Sequence, residues 1–172
     1  MVGLPGVVAA ATPVSIGTVV LAGAIAGFAG AVVMDVPMVR QQEGFTPAYV
    51  AASVLRGTDP ESVPIRDASL VHHAAGVLAG VLYAVLATAA AAVLGVDPTP
   101  GGLAGAILPH ALAVVFVVGF IYAFFAHVVL PRAGRGIYEE RATAVRGQWL
   151  RSSLVFGVTL ALVAPALLTL LA

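Results

Sequence analysis

The chain contains no cysteine and no lysine, and it is poor in charge of either sign. Without cysteine there is no disulfide, no thiolate metal site and no thiol redox chemistry. Without lysine there is no amine for a Schiff base, a retinal linkage to this chain included. Charged residues make up 9% of the sequence, against about a quarter in a soluble domain. That is too little to coat a water-facing surface. The net charge is zero, which argues against a nucleic-acid partner. Local motifs are missing as well: there is no G-x-S-x-G, P-loop, dinucleotide fingerprint or H-E-x-x-H.

What is present is apolar. Hydrophobic residues account for 60% of the 172 positions and the mean hydropathy is +1.06. A membrane-spanning helix needs roughly 20 predominantly apolar residues, and four stretches qualify: 14–39, 68–94, 102–130 and 148–171. The expected fold is all-α, a single domain of four transmembrane helices. All eight basic residues are arginines, and they occupy only the first and third connections and the adjoining helix ends. The positive-inside rule then puts those connections in the cytoplasm and both termini outside, in a multi-pass protein of the cell membrane. Residues 1–12 are apolar but have no basic n-region, so a cleaved signal is not expected; Pro5 and Pro13 make an interfacial lead-in.

The first cytoplasmic connection carries residues 44–57, GFTPAYVAASVLRG. Thr46 suits a cap, Pro47 the first helical position and Gly57 the residue after the end. The reading is a short amphipathic helix along the membrane surface, with Tyr49, Val50, Val54 and Leu55 on its apolar side. It serves as a cover for the bundle end, or else as a gate or a partner-docking helix. Asp67 suits the N-cap of the second span. Residues 137–146 are expected to be helical, with a bend at Gly147 before an interfacial Trp149.

Small residues recur every four positions, the spacing at which membrane helices pack. The rows are Gly23, Gly27, Ala31, Asp35; His72, Gly76, Gly80, Ala84; Gly119, Ala123, His127; and Ser153, Gly157, Ala161, Pro165. Each ends on a polar residue toward the arginines. Asp35 precedes Arg40 by five residues, His72 follows Arg66 by six, and His127 precedes Arg132 by five. At 1.5 Å per residue these offsets are roughly 7 to 9 Å. An intramembrane acid is expensive without a partner or a wet cavity, so Asp35, His72, His127 and Ser153 form the candidate polar cluster. His73 is secondary because it lies about 100° round the helix from His72. His110 is also secondary, since it can bond into the helix defect left by Pro109.

These residues admit several chemistries. Proton or cation coupling suits an Asp beside imidazoles. Asp35, His72 and His127 also make a two-histidine, one-carboxylate metal set. Haem would need facing imidazoles at one depth, for which His72 or His73 with His127 are the candidates; no cofactor is called for by a motif. Arg40, Arg132, Arg135 and Arg141 suit headgroup contacts or anchoring.

Three segments carry a likeness to known sequences: VMDVPM at 33–38, EGFTPAYVAASVLRG at 43–57, and the H-x3-G-x3-G-x2-Y spacing of 72–83. In these the chain resembles small four-helix integral membrane proteins of uncharacterised function from halophilic archaea. The resemblance covers about the first half and implies no catalytic residues. The leading expectation is a non-enzymatic structural or accessory subunit, packing against other membrane subunits or itself through Gly/Ala ridges and bathed in lipid. The alternatives are a proton- or cation-coupled transporter using the Asp/His cluster, and a haem- or metal-binding membrane subunit.

Overall fold

The computed structural model describes residues 15–96 and 103–171. The lead-in at 1–12 and the greater part of the second connection, 97–102, lie outside them. Among the described residues all regular structure is helical: α1 (Ile16–Arg40), α2 (Thr46–Arg56), a 3-10 turn (Pro60–Ser62), α3 (Ile65–Leu94), α4 (Leu103–Phe124), a π-helical turn (Phe125–Val129), α5 (Leu130–Ala133) and α6 (Gly136–Leu171). Four helical segments are long and apolar enough to cross a membrane: Ile16–Arg40, Ile65–Leu94, Ile107–Ala133 and Gly136–Leu171. They turn large apolar side chains outward, among them Leu21, Leu78, Val115, Phe116 and Leu162, as a lipid-facing surface requires.

The tightest joint is between α1 and α3. The row Gly23, Gly27, Ala31, Asp35 runs antiparallel against Ala84, Gly80, Gly76, His72. A Cβ on Gly27 would run into the Gly76 carbonyl, and one on Gly80 into the Gly23 carbonyl. Only glycine allows the two backbones to come this close. Ser15 caps α1 by accepting from the Thr18 N–H at 3.1 Å. Near the other end Pro37 withholds an N–H from the carbonyl four residues back. The core between the helices is built from Met34, Met38, Tyr83, Val117, Phe156 and Leu160.

Two of the four small-residue rows do not face inward as the spacing suggests. Gly119, Ala123 and His127 are exposed, and a Cβ on Gly119 would meet nothing. The buried face of this segment is instead Ala113, Val117, Phe125 and Ala126. Gly119 and Ala123 lie in regular α4, so their exposure reflects the face α4 turns to its neighbours; the π turn at Phe125–Val129 adds an extra residue to the winding only beyond them. Pro131 explains the turn, since it has no N–H for the carbonyl four residues earlier. On α6, Ser153 and Gly157 are buried but Ala161 is exposed.

The connections also differ in detail. α6 begins at Gly136 and runs through Gly147 without a break in the helix. Its 36 residues are about 54 Å long at 1.5 Å each, well beyond a 30 Å hydrocarbon core. Its first turns pack Ile137 and Val145 against Val50, Phe125 and Leu130 at the arginine-rich end. Asp67 is not a cap: Pro64 holds that position and Asp67 pairs with Arg56 and Arg66. Thr46 is not one either, because its hydroxyl donates to Glu43. In α2 the buried side is Pro47, Ala48, Val50 and Ala52, while Val54 and Leu55 face out. α2 closes the bundle end with its small residues, and Gly57 ends it in the left-handed region at φ 65°.

Candidate functional site

Asp35 stands at the polar end of the α1/α3 seam, and two imidazoles meet it. His72 Nε2 lies 3.3 Å from Oδ1, and His73 Nε2 lies 3.1 Å from Oδ2. The close approach of the glycine rows makes this possible. With the α1 backbone lying almost on α3, consecutive residues either side of the seam both reach the carboxylate. His72 is nearly enclosed, whereas Asp35 and His73 keep 30% and 21% of their side-chain surface open. Phe45 packs edge-on to His72 and Phe28 leans on His73, screening the set from either side.

The hydrogen-bond inventory of this set does not close with neutral partners. His73 Nδ1–H donates to the Ser69 carbonyl at 2.8 Å, because a carbonyl can only accept. In a neutral ring Nε2 then carries a lone pair, and it faces a carboxylate oxygen that also only accepts. One further proton, on the ring or on the carboxyl, or a metal ion in its place, is needed between them. His72 Nε2–H donates to the Ala31 carbonyl at 3.2 Å. Asp35 Oδ1 is left buried with no hydrogen-bond partner. Among the described residues these three form the one group of His, Asp and Glu ligand atoms close enough for a metal ion, all within 4.8 Å of one another.

His72 has a second role, as part of the wall of a cavity of ≈ 410 Å³. Its other lining is apolar: Ala31 and Met34 of α1, Ala79 and Leu82 of α3, Ile121 of α4, Trp149 and Phe156 of α6. Pro47, Ala48 and Ala51 of α2 close it at the arginine-rich end. Toward the lipid-facing side it is flanked by Leu78 on α3 and by Phe120 and Phe124 on α4, all exposed and the last two stacked at 5.5 Å. The volume is within the range of small-molecule sites.

The remaining sequence-selected residues lie elsewhere. His127, on the π turn, points outward and packs edge-on to Tyr122. It joins neither Asp35 nor His72, and so completes neither the expected metal triad nor an axial haem pair. Ser153 is buried but donates to the Trp149 carbonyl of its own helix at 2.8 Å. His110 Nδ1 meets the Tyr83 hydroxyl at 2.6 Å. Among the arginines, Arg40 is exposed. Arg132 donates to the Val128 carbonyl, Arg135 pairs with Asp59, and Arg141 turns inward to Glu43 at 3.0 Å.

Glu43 escaped sequence reasoning. It is 3% exposed, accepts from Arg141 and from the Thr46 hydroxyl at 2.7 Å, and its backbone N–H donates to Gln148 Oε1 at 2.7 Å. Gly44 permits this, since a Cβ there would strike the Met38 backbone. The clasp ties the α1–α2 turn to the N-terminal half of α6.

Fold and site together define an all-α, multi-pass membrane protein with a carboxylate–imidazole set at one end of its bundle. No family model, curated protein or solved structure matches the chain.

Proposed function

We propose that the protein is a cation-coupled membrane transporter whose coupling site is Asp35 with His72 and His73. The observation that carries this reading is the confrontation of His73 Nε2 and Asp35 Oδ2 across 3.1 Å while Nδ1 is committed to the Ser69 carbonyl. A site that needs one extra proton or metal ion to be satisfied is suited to binding a cation. His72 connects that event to the cavity, because the same ring forms part of the cavity wall. A change in the charge held by Asp35 therefore alters the wall an incoming substrate meets. The glycine rows of α1 and α3, which would serve an accessory subunit as docking ridges, are occupied by each other, which weighs against the scaffold reading.

The test uses the full chain in proteoliposomes. An entrapped pH-sensitive dye reads protons and an entrapped metal-sensitive dye reads divalent cations. The wild type is expected to carry one of these ions, Asp35→Asn to abolish the flux, and His127→Gln to leave it unchanged. Undiminished flux in Asp35→Asn, or no flux of either ion in the wild type, overturns the proposal.

A further inference from the structure

We infer that Asp35, His72 and His73 form a binding site for a first-row divalent transition-metal ion, with two nitrogen ligands, one oxygen ligand and an open fourth position. The inference deepens the reading of this set as a cation site by naming the class of cation.

Four observations support it. First, the ligand types are selective. Two imidazoles and a single carboxylate suit zinc, cobalt, nickel or iron, whereas calcium and magnesium require shells of oxygen. With no cysteine in the chain, thiolate-directed copper(I) chemistry is excluded. Second, the spacing fits. The separation of 3.3 Å between His72 Nε2 and Asp35 Oδ1 matches the edge, about 3.3 Å, of a tetrahedron with bonds near 2.0 Å, and the ligand atoms of the three residues lie within 4.8 Å of one another. Third, His73 has the outer support typical of a metal ligand. Its Nδ1–H donates to the Ser69 carbonyl at 2.8 Å, which holds the ring in the tautomer whose Nε2 lone pair faces Asp35. Fourth, Asp35 Oδ1 is buried without a hydrogen-bond donor. A proton shared between His73 and Oδ2 leaves it so, whereas an ion held between Oδ1 and the two Nε2 atoms satisfies it. Binding requires His72 to move its ring proton from Nε2 to Nδ1, or to lose it, giving up the bond to Ala31 at 3.2 Å. The fourth position is left for water or for a polar atom of a substrate.

The experiment is a titration of the full chain, in detergent and with any polyhistidine tag removed, with cobalt chloride, followed by visible absorption. One Co²⁺ per chain is expected, with the intense d–d bands of a four-coordinate ion. Since losing even an outer-shell partner weakens a metal site by about 10–100-fold, Asp35→Asn, His72→Gln and His73→Gln should each weaken binding at least about tenfold. His127→Gln should bind as the wild type does. Each variant is compared at matched thermal stability in detergent, so that misfolding is not read as ligand loss. The absence of the bands in folded wild type, or wild-type affinity in any of the three ligand variants, overturns the inference. Because no transport is measured, the two proposals separate: proton flux without Co²⁺ binding removes the metal site alone, and Co²⁺ binding without flux removes the transporter alone.

Discussion

At the scale of single residues, the chain holds two polar constructions of different kinds. The Asp35 set is open to exchange, whereas the Glu43 clasp is closed. Glu43 is a buried carboxylate with both oxygens engaged, so removing its cationic partner leaves a charge without compensation. Arg141→Ala is expected to destabilise the protein by about 1–3 kcal/mol, a range held down because the guanidinium is 42% exposed. Arg40→Gln, at an exposed position, should stay within about 0.5 kcal/mol. Thermal unfolding in detergent reads both, and equal effects would remove the clasp. The sequence made Asp35 and His72 conspicuous because an acid and an imidazole are rare in apolar runs. It could not show Glu43, which sits in an ordinary polar turn and meets an arginine 98 residues away. It also ranked His73 below His127. A 100° step separates His73 from the helix row, but the contact is decided by how near the facing helix lies, and that distance is a tertiary quantity.

At the scale of elements, four-residue glycine spacing is a pattern whose meaning depends on what faces it. The rows of α1 and α3 are legible in the sequence because both helices are regular where the rows run. The row of Gly119, Ala123 and His127 is not, because spacing alone does not say which face α4 turns to its neighbours, and there Ala113, Val117 and Phe125 form the buried side. The difference can be measured with the same substitution at two sites. Gly80→Ala puts a methyl group into the Gly23 carbonyl and the Gly27 backbone, so α1 and α3 must separate. That overpacking should cost about 1–3 kcal/mol. Gly119→Ala meets open space and gains helix propensity, so it should be neutral or stabilising by up to about 1 kcal/mol. Equal and small effects at the two sites would mean that the α1/α3 backbones are not in contact. The expected loss at Gly80 reaches the site as well, since the same close approach brings His73 to Asp35.

At the scale of the whole molecule, the arginine distribution and the four apolar runs were enough to read a bundle with one polar end, and the helices agree in number and order. The cavity was beyond reach of the sequence. It arises where α3, α4 and α6 leave room beside α1 above the small residues of α2, and no local pattern encodes the gap between helices. Its position bears on how the molecule works. A site flanked by Leu78, Phe120 and Phe124 on a lipid-facing surface and walled by apolar side chains favours an occupant that comes sideways from the bilayer, with His72 as its polar contact. Ala79 is buried on that wall, so Ala79→Phe should grow into the cavity rather than into packed core, and its cost should stay below the about 1–3 kcal/mol of ordinary overpacking. The variant should lose binding of an environment-sensitive lipophilic fluorophore while keeping Co²⁺ affinity at Asp35, His72 and His73. If cavity and cation site act as one machine, cation flux in proteoliposomes also falls in Ala79→Phe although every ligand remains in place. Unchanged flux with the fluorophore excluded would separate the two, leaving a cation pathway that runs through Asp35 without using the cavity.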